Sequence, residues 1–314
     1  MSMKGIVVVG SLNFDLVVQL ERIPGVGETI LGKSFQTHPG GKGANQAAEI
    51  GRLGYPVRMI GRIGSDAFGI QLRKSLDNVG VNTTAVSVSE GVSGVAMIMV
   101  QARGENSIVV APGANACLSL SDLDANLELI RNASLVLTQL EIPIPTLEHL
   151  TVLCERESVP LVLDPAPAQH LSSGVLSKVT WITPNDTEAR QLTGLEGSTD
   201  SEQKLRLLAE RLLEMGPRNV LLKLGGRGAY VATEDGIRAA IPAYSVHAVD
   251  TTAAGDAFNG AFAVALARGA APLDAVQFAT AAAAISVTRH GALPSMPTQA
   301  EVESFLAAQQ ELAL

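Results

Sequence analysis

Asp256 follows two alanines and a glycine in the run Val249-Asp250-Thr251-Thr252-Ala253-Ala254-Gly255-Asp256-Ala257-Phe258-Asn259-Gly260, where a polar segment becomes apolar and alanine-rich. The change of pattern predicts a helix over 254–267, opening near Ala254. The first backbone N–H groups of such a helix have no partner within it and carry roughly half a positive charge. Gly255 has no side chain to keep an anion away from them. The N–H groups of Ala253 to Asp256 therefore read as an anion hole with a carboxylate beside it. An acid in a first helical turn ordinarily does no more than complement the dipole. Next to a phosphate cradle it can instead take a proton from a hydroxyl while the N–H groups stabilise a transferring phosphoryl group.

Other polar residues have spacings that could serve the same chemistry. Asn13 and Asp15 are two apart on an extended segment, so they share one face while Leu12, Phe14 and Leu16 take the other. The pair can hold adjacent hydroxyls of a polyol; a solvated edge strand is the plain alternative. Pro39-Gly40-Gly41-Lys42-Gly43-Ala44-Asn45-Gln46 makes a glycine turn into a helix, with Lys42 and Asn45 on its first turn. It is neither a dinucleotide fingerprint nor a Walker A loop. Glu141 stands just past a strand ending near Leu140, where an acid with no ligand is the ordinary reading. Asn185-Asp186-Thr187-Glu188 opens a helix, for which Asn185 or Thr187 can be the cap. Lys223-Leu224-Gly225-Gly226-Arg227-Gly228 marks backbone close to a ligand, or a tight hairpin. The segment from Ser286 to Ser295 is irregular enough to expose several carbonyls. None of the histidines has metal-ligand spacing, and Cys117 and Cys154 lack C-x-x-C spacing.

The elements that must position these residues are legible from periodicity. Short β-branched runs at 6–9, 57–63, 135–137, 161–163, 180–182 and 220–224 alternate with helical patterns at 44–53, 68–78, 120–131, 145–156, 202–215, 254–267, 273–288 and 299–310. This is a doubly wound α/β pattern, a mostly parallel sheet between helices, whose ligands sit beyond the carboxyl ends of the strands. Two regions break the alternation, 13–20 with 29–37 and 94–101 with 106–111, with turns at Pro24-Gly25-Val26-Gly27 and Arg103-Gly104-Glu105. They predict a small separate sheet, about 12–37 and 94–111, inserted into one domain spanning 1–314. Such a sheet can close over a ligand as a lid and exclude water. Val95, Met97 and Met99 against Ala96 and Ile98 allow it an apolar outer face, which a twofold dimer through the lids would cover.

With 314 residues, 46% of them hydrophobic, the chain can bury a large core. A net charge of −8, a pI near 5.2 and no dense basic run exclude a nucleic-acid surface. The apolar run at Ile6 to Val9 is followed by Asn13 and Asp15 with no cleavage site, so it reads as a strand and not an export signal. The longest low-polarity stretch, Ala279 to Val287, falls short of the roughly 20 residues that span a membrane. Isolated cysteines point to a reduced, cytoplasmic setting.

Gly40-Gly41-Lys42-Gly43-Ala44-Asn45-Gln46-Ala47 resembles the N-terminal signature of the ribokinase (PfkB-type carbohydrate kinase) family, and the run around Asp256 resembles its C-terminal signature. The resemblance extends from the first strand to near Ser295. It implies a three-layer α/β/α domain with a β-sheet lid and ATP-dependent phosphorylation of the terminal hydroxyl of a pentose, D-ribose giving D-ribose 5-phosphate. Asp256 would be the general base, with Ala253, Ala254 and Gly255 completing the catalytic turn. Asn13, Asp15, Gly41, Lys42, Asn45 and Glu141 would hold the sugar. ATP would meet Asn185, Glu188, Lys223, Gly225, Gly226, Arg227, Gly228, Gly255 and Thr280. Lys223 departs from the family's frequent threonine and adds a positive charge for the same anion. Glu188, in an N-x-x-E motif, would reach Mg²⁺ through water. Asp250, Thr252, Ser286, Arg289, Gly291 and Ser295 match a potassium site. Substrates such as 2-deoxyribose, a hexose derivative or a nucleoside stay open, as does a sugar sensor without activity. A dehydrogenase is disfavoured by the absence of G-x-G-x-x-G after the first strand.

Overall fold

In the computed structural model, which describes residues 4–101, 106–197 and 199–312, the side chains of Ile6-Val7-Val8-Val9 alternate between two apolar cores. Ile6 and Val8 enter one, Val7 and Val9 the other. The same alternation separates Leu137 from Val136, and Leu221 from Val220 and Leu222. Strands with apolar side chains on both faces must be covered on both, which dictates a layer of helices on each side.

In chain order the strands are β1 (Ile6–Val9), β2 (Asn13–Leu20), β3 (Ser34–Gly40), β4 (Val57–Gly64), β5 (Val81–Asn82), β6 (Val86–Ser89), β7 (Gly94–Gln101), β8 (Asn106–Ala111), β9 (Val136–Thr138), β10 (Leu161–Leu163), β11 (Trp181–Ile182), β12 (Asn219–Lys223), β13 (Ala229–Thr233) and β14 (Arg238–Ile241). The helices are α1 (Lys42–Arg52), α2 (Ala67–Asp77), α3 (Leu120–Ala125), α4 (Leu127–Arg131), α5 (Ile144–Arg156), α6 (Ser173–Leu176), α7 (Asp186–Thr193), α8 (Glu202–Glu214), α9 (Ala254–Ala267), α10 (Pro272–Ser286) and α11 (Gln299–Leu312). The main sheet runs β14-β13-β12-β11-β10-β9-β1-β4-β5, with β6 also on β4. It is parallel from β5 to β12 and antiparallel at β13 and β14. Helices α1, α2, α9 and α10 cover one face, and α3 to α8 the other. Strand order reverses between β1 and β9, so the crevice at their carboxyl ends is the switch point where ligands of such sheets bind.

The smaller sheet runs β3-β2-β7-β8, and its register sets Asn13 opposite both Gly40 and Gly94. The strand expected over 29–37 starts only at Ser34, because pairing to β2 begins with Gln19 opposite Ser34 and Leu31 before it is exposed. The helix expected over 120–131 is two helices, broken at Asn126, whose φ of −112° leaves the helical range and whose side chain caps the carbonyl of Asp122. The expected turn at 103–105 lies outside the described residues.

Helix α9 is alanine-rich because it is buried between α1 and α10, and small residues let helices approach closely. A Cβ on Gly260 would meet Glu49 Cβ of α1 at 2.7 Å. Phe262 packs edge-on against Trp181 of β11 with ring centroids 5.1 Å apart, which ties α9 to the sheet.

Candidate active site

Ala253, just before α9, has φ 57°, a left-handed conformation that costs a residue with a side chain roughly 1 kcal/mol or more. No side chain caps the helix. Among the described residues, the N–H groups of Ala253, Gly255 and Asp256 have no hydrogen-bond acceptor, whereas that of Ala254 reaches the Thr251 carbonyl at 3.3 Å. The anion hole expected from the sequence thus has free donors on either side of Ala254. A Cβ on Gly255 would approach only the Lys223 ammonium, 3.6 Å away. In front lies a cavity of about 420 Å³ whose lining includes Lys223, Gly225, Gly226, Gly255 and Thr280.

Asp256 is 6% exposed, and its carboxylate is held by two amides from α1. Asn45 Nδ2 donates to Oδ2 at 2.9 Å and Gln46 Nε2 donates to Oδ1 at 3.0 Å. Gln46 Nε2 also donates to Asp164 Oδ2 at 3.0 Å, and its Oε1 accepts from Gln139 Nε2 at 2.5 Å. Asp164 Oδ1 receives the Lys223 ammonium at 2.9 Å. Gly41 sets the position of α1: its φ is 94°, and a Cβ there would strike the Asn13 nitrogen at 2.5 Å, so only glycine fits. At this close approach Glu141 Oε2 accepts from Lys42 N at 3.2 Å, Asn13 Nδ2 at 3.3 Å and the Ser11 hydroxyl. Glu141 therefore neutralises the start of α1 as well as bordering the crevice. Asn13 Oδ1 accepts from Asn115 Nδ2 at 2.7 Å, leaving one hydrogen and one lone pair of its amide for a ligand. Asp15 has no hydrogen-bond partner among the described residues and borders a cleft of about 690 Å³ shared with Gln36, His38, Ile98 and Asp250.

Burial pushes Asp256 up to about 6; Lys42 opposes the shift, Asp164 adds to it, and the amides of Asn45 and Gln46 restrain it. Burial, with the charges of Glu141 and Asp256, raises Asp15 to about 7. Burial works against the Lys42 ammonium, but Asp256, Asp164, Glu141 and Glu188 outweigh it and hold its pKa above the ordinary range. A base that titrates near neutrality suits proton abstraction from a hydroxyl.

Asn185 and Glu188 form a reciprocal capping box at the start of α7, each side chain accepting from the other's backbone N–H at 2.8 Å. Burial raises Glu188, against the pull of Lys223 and with the push of Asp164. Arg227 is turned aside: its guanidinium meets the carbonyl and hydroxyl of Thr199 and lies 3.6 Å from Asp186. From its motif, Gly225, Gly226 and Gly228 line the cavity together with Tyr244, Val246, Phe258 and Val287. Asp250 Oδ1 accepts from Thr252 N at 2.9 Å and Oδ2 from Gly291 N at 2.8 Å, tying the segment before α9 to the loop after α10. Burial would raise Asp250, but these bonds prevail and keep it ionised. In that loop Ser286 and Ser295 turn their hydroxyls to the carbonyls of Ala283 and Ala292, and the Arg289 side chain pairs with Glu301 at 2.7 Å.

Sequence reading overlooked Gln46, Gln139, Asp164 and Asn115. Asp164 follows β10 directly, the same carboxyl-end position that singled out Glu141, and Gln46 adjoins Asn45 in the glycine motif. Gln139 and Asn115 carried no local signal.

A doubly wound sheet with a lid, and a buried carboxylate beside an open helix start at its switch point, define a phosphotransferase of the sugar-kinase class. The pfkB family carbohydrate kinase pattern matches residues 3–299, and the chain belongs to that family as an ATP-dependent carbohydrate kinase. It is 41% identical over 304 residues to the ribokinase of Haemophilus influenzae, covering 96% of this chain and 98% of that one. To the deoxyribokinase of Salmonella typhi it is 35% identical over 303 residues, covering 96% and 98%. The solved structure of Arabidopsis thaliana ribokinase complexed with ribose and ATP matches with a TM-score of 0.89 and 37% identity, over 96% of this chain and 98% of that one. The ribokinase-like α/β/α fold with a separate small sheet, expected from the sequence, is the fold found.

Proposed function

We propose that the protein transfers the γ-phosphoryl group of ATP to the 5-hydroxyl of D-ribose, giving D-ribose 5-phosphate and ADP. The observation that carries this reading is the buried Asp256 carboxylate, fixed by Asn45 and Gln46 at a helix start with unpaired N–H groups. Ribose lies in the cleft under the lid, its adjacent hydroxyls on Asn13 and Asp15, with Gly41, Lys42, Asn45 and Glu141 around it. Asp256 accepts the proton of the 5-hydroxyl. The oxygen's electron pair forms the bond to the γ-phosphorus while the bond to the bridging oxygen breaks and its electrons leave with ADP. The N–H groups of Ala253, Gly255 and Asp256 receive the charge of the transferring group. The apolar wall of Val246, Phe258 and Val287 accepts the adenine, and Gly225, Gly226, Gly228 and Thr280 allow the nucleotide close approach.

The charges around the site fit a divalent cation arriving with ATP. Asp15, Glu141, Asp164, Glu188 and Asp256 outnumber Lys42 and Lys223, so the phosphates need further positive charge. Mg²⁺ bound with ATP would supply it by screening the phosphates, with Glu188 reaching it through water. The Asp250 carboxylate, the carbonyls of Thr252, Ser286, Arg289 and Gly291, and Ser295 are an all-oxygen donor set suited to potassium, a fixed positive charge behind the helix start. No helix among the described residues is long and apolar enough to cross a membrane. A cytoplasmic enzyme drawing on cellular ATP is the corresponding setting. Phe35, Met97 and Val109 are exposed on the outer lid face, which supports a homodimer through the lids.

Phosphorylation of 2-deoxyribose is the second reading, favoured by the Salmonella relative. Asp15 favours ribose, since a buried acid beside Asn13 is best satisfied by two neighbouring hydroxyls. An ADP-release assay over ribose, 2-deoxyribose, hexoses and nucleosides decides. Ribose should show the highest kcat/KM; a tenfold preference for any other acceptor overturns the assignment.

A further inference from the structure

We propose that Asp164 and Lys223 are a second charge pair of the transfer machinery: Asp164 holds the Lys223 ammonium ready for the transferring phosphoryl group and, through the amide of Gln46, orients the Asp256 carboxylate. The inference rests on the kinase reading of Asp256 given above.

The pair is built where the reaction would occur. Asp164 is 1% exposed at the carboxyl end of β10, and Lys223 ends β12, its side chain 12% exposed. The ammonium lies 3.6 Å from where a Cβ on Gly255 would stand, on the wall of the cavity in front of α9. One of its hydrogens is committed to Asp164 and the others can meet an anion arriving there. A buried ion pair is a poor stabilising device, because desolvation offsets its attraction. A partly exposed ammonium backed by a buried carboxylate serves better as a held, movable cation.

Gln46 makes the pair part of the base. The two hydrogens of its Nε2 are divided between Asp164 Oδ2 and Asp256 Oδ1, both at 3.0 Å, and the Gln139 amide on its Oε1 prevents the reversed orientation. Asp256 is faced by Lys42 from α1, by Asp164 behind Gln46 and by Asp15 from β2, while Lys223 faces Asp164 from β12. When an incoming phosphate draws Lys223 forward, the charge of Asp164 is less compensated. Asp256, one amide away, then holds a proton more strongly. The arrival of the phosphoryl group and the sharpening of the base are thus one event. Lys223 would touch the reacting group; Asp164 and Gln46 are positioning residues.

Full-length Asp164→Asn, Lys223→Met and the double variant test this, with kcat, both KM values, the pH profile of kcat and the melting temperature as readouts. Lys223→Met alone strands a buried carboxylate and should melt lower; the double variant should recover that loss while kcat stays down about 10²-fold with ribose KM unchanged. Asp164→Asn keeps the volume but offers one acceptor where Lys223 and Gln46 both donate, so it should melt below the wild type, and it should move the acid limb of kcat to lower pH by about 1 unit, because Asp256 loses a negative neighbour. Wild-type kcat in the double variant, or an unmoved acid limb in Asp164→Asn, overturns the proposal. If the wild-type protein itself releases no ADP with any sugar, the kinase reading fails first; an active wild type beside unaffected variants confines the failure to Asp164 and Lys223.

Discussion

Asp256 must be ionised to accept a proton, and burial sets its midpoint at about 6. The kcat/KM for ribose should therefore rise with pH through about 6 and level off above it; a flat profile from pH 5 to 8 contradicts a base at this position. The same shift affects stability. The folded state holds the Asp256 proton more tightly than the unfolded chain, whose ordinary value is 3.8, so folding weakens as pH rises from about 4 to 6. The cost at neutral pH is on the order of 3 kcal/mol. Ligand-free Asp256→Asn should consequently melt above the wild type at pH 8, with the gap closing toward pH 4. Asn45 Oδ1, buried without a partner, can accept the new amide by flipping. Equal melting temperatures at pH 8 would remove the proposed cost. Asp256, Asn45 and Lys42 could be singled out because each sits in a compact motif at a helix start. Gln46 and Asp164 were marked only by their positions, beside Asn45 and at the end of β10, and Gln139 by nothing: their bonds join residues such as 46 and 256, which only the topology brings together.

Between elements, the constraint that bears most directly on the sugar-side residues is the approach of α1 to β2 over Gly41. Gly41→Ala would meet both a φ of 94° and the Asn13 nitrogen, displacing the turn that carries Lys42 and Asn45. Ribose affinity by calorimetry should fall tenfold or more and the melting temperature should drop; unchanged affinity would show that α1 does not position the sugar. Behind the start of α9, the oxygen-rich loop predicts faster turnover in potassium than in a large organic cation, and equal rates count against a cation site there. The strands β1, β4 and β9 to β12 were legible because β-branched runs alternate with helix-length segments. The antiparallel β13 and β14 were not: the glycine turn that leads from β12 into β13 reads equally as a ligand loop or a hairpin, and Ala229-Tyr230-Val231-Ala232-Thr233 is buried throughout with no alternation to mark it. The joint between α3 and α4 escaped because Asn126 interrupts an otherwise continuous helical pattern.

For the molecule as a whole, the lid sheet contributes Asn13 and Asp15 from below and an apolar surface above. In register across β2, β7 and β8, Leu16, Met97 and Val109 share the outer face. Light scattering at micromolar concentration should find a dimer that Met97→Glu with Val109→Glu converts to a monomer; a wild-type monomer refutes the lid contact. In the proposed reaction, sheet, lid and helix start bring a sugar oxygen, a carboxylate and the end of ATP together. The most direct measurement is single-turnover phosphoryl transfer by Asp256→Asn, with ribose affinity measured on the same protein. Binding should stay within about threefold of wild type while transfer slows by about 10²-fold or more. Transfer near the wild-type rate with binding intact would contradict Asp256 as the base.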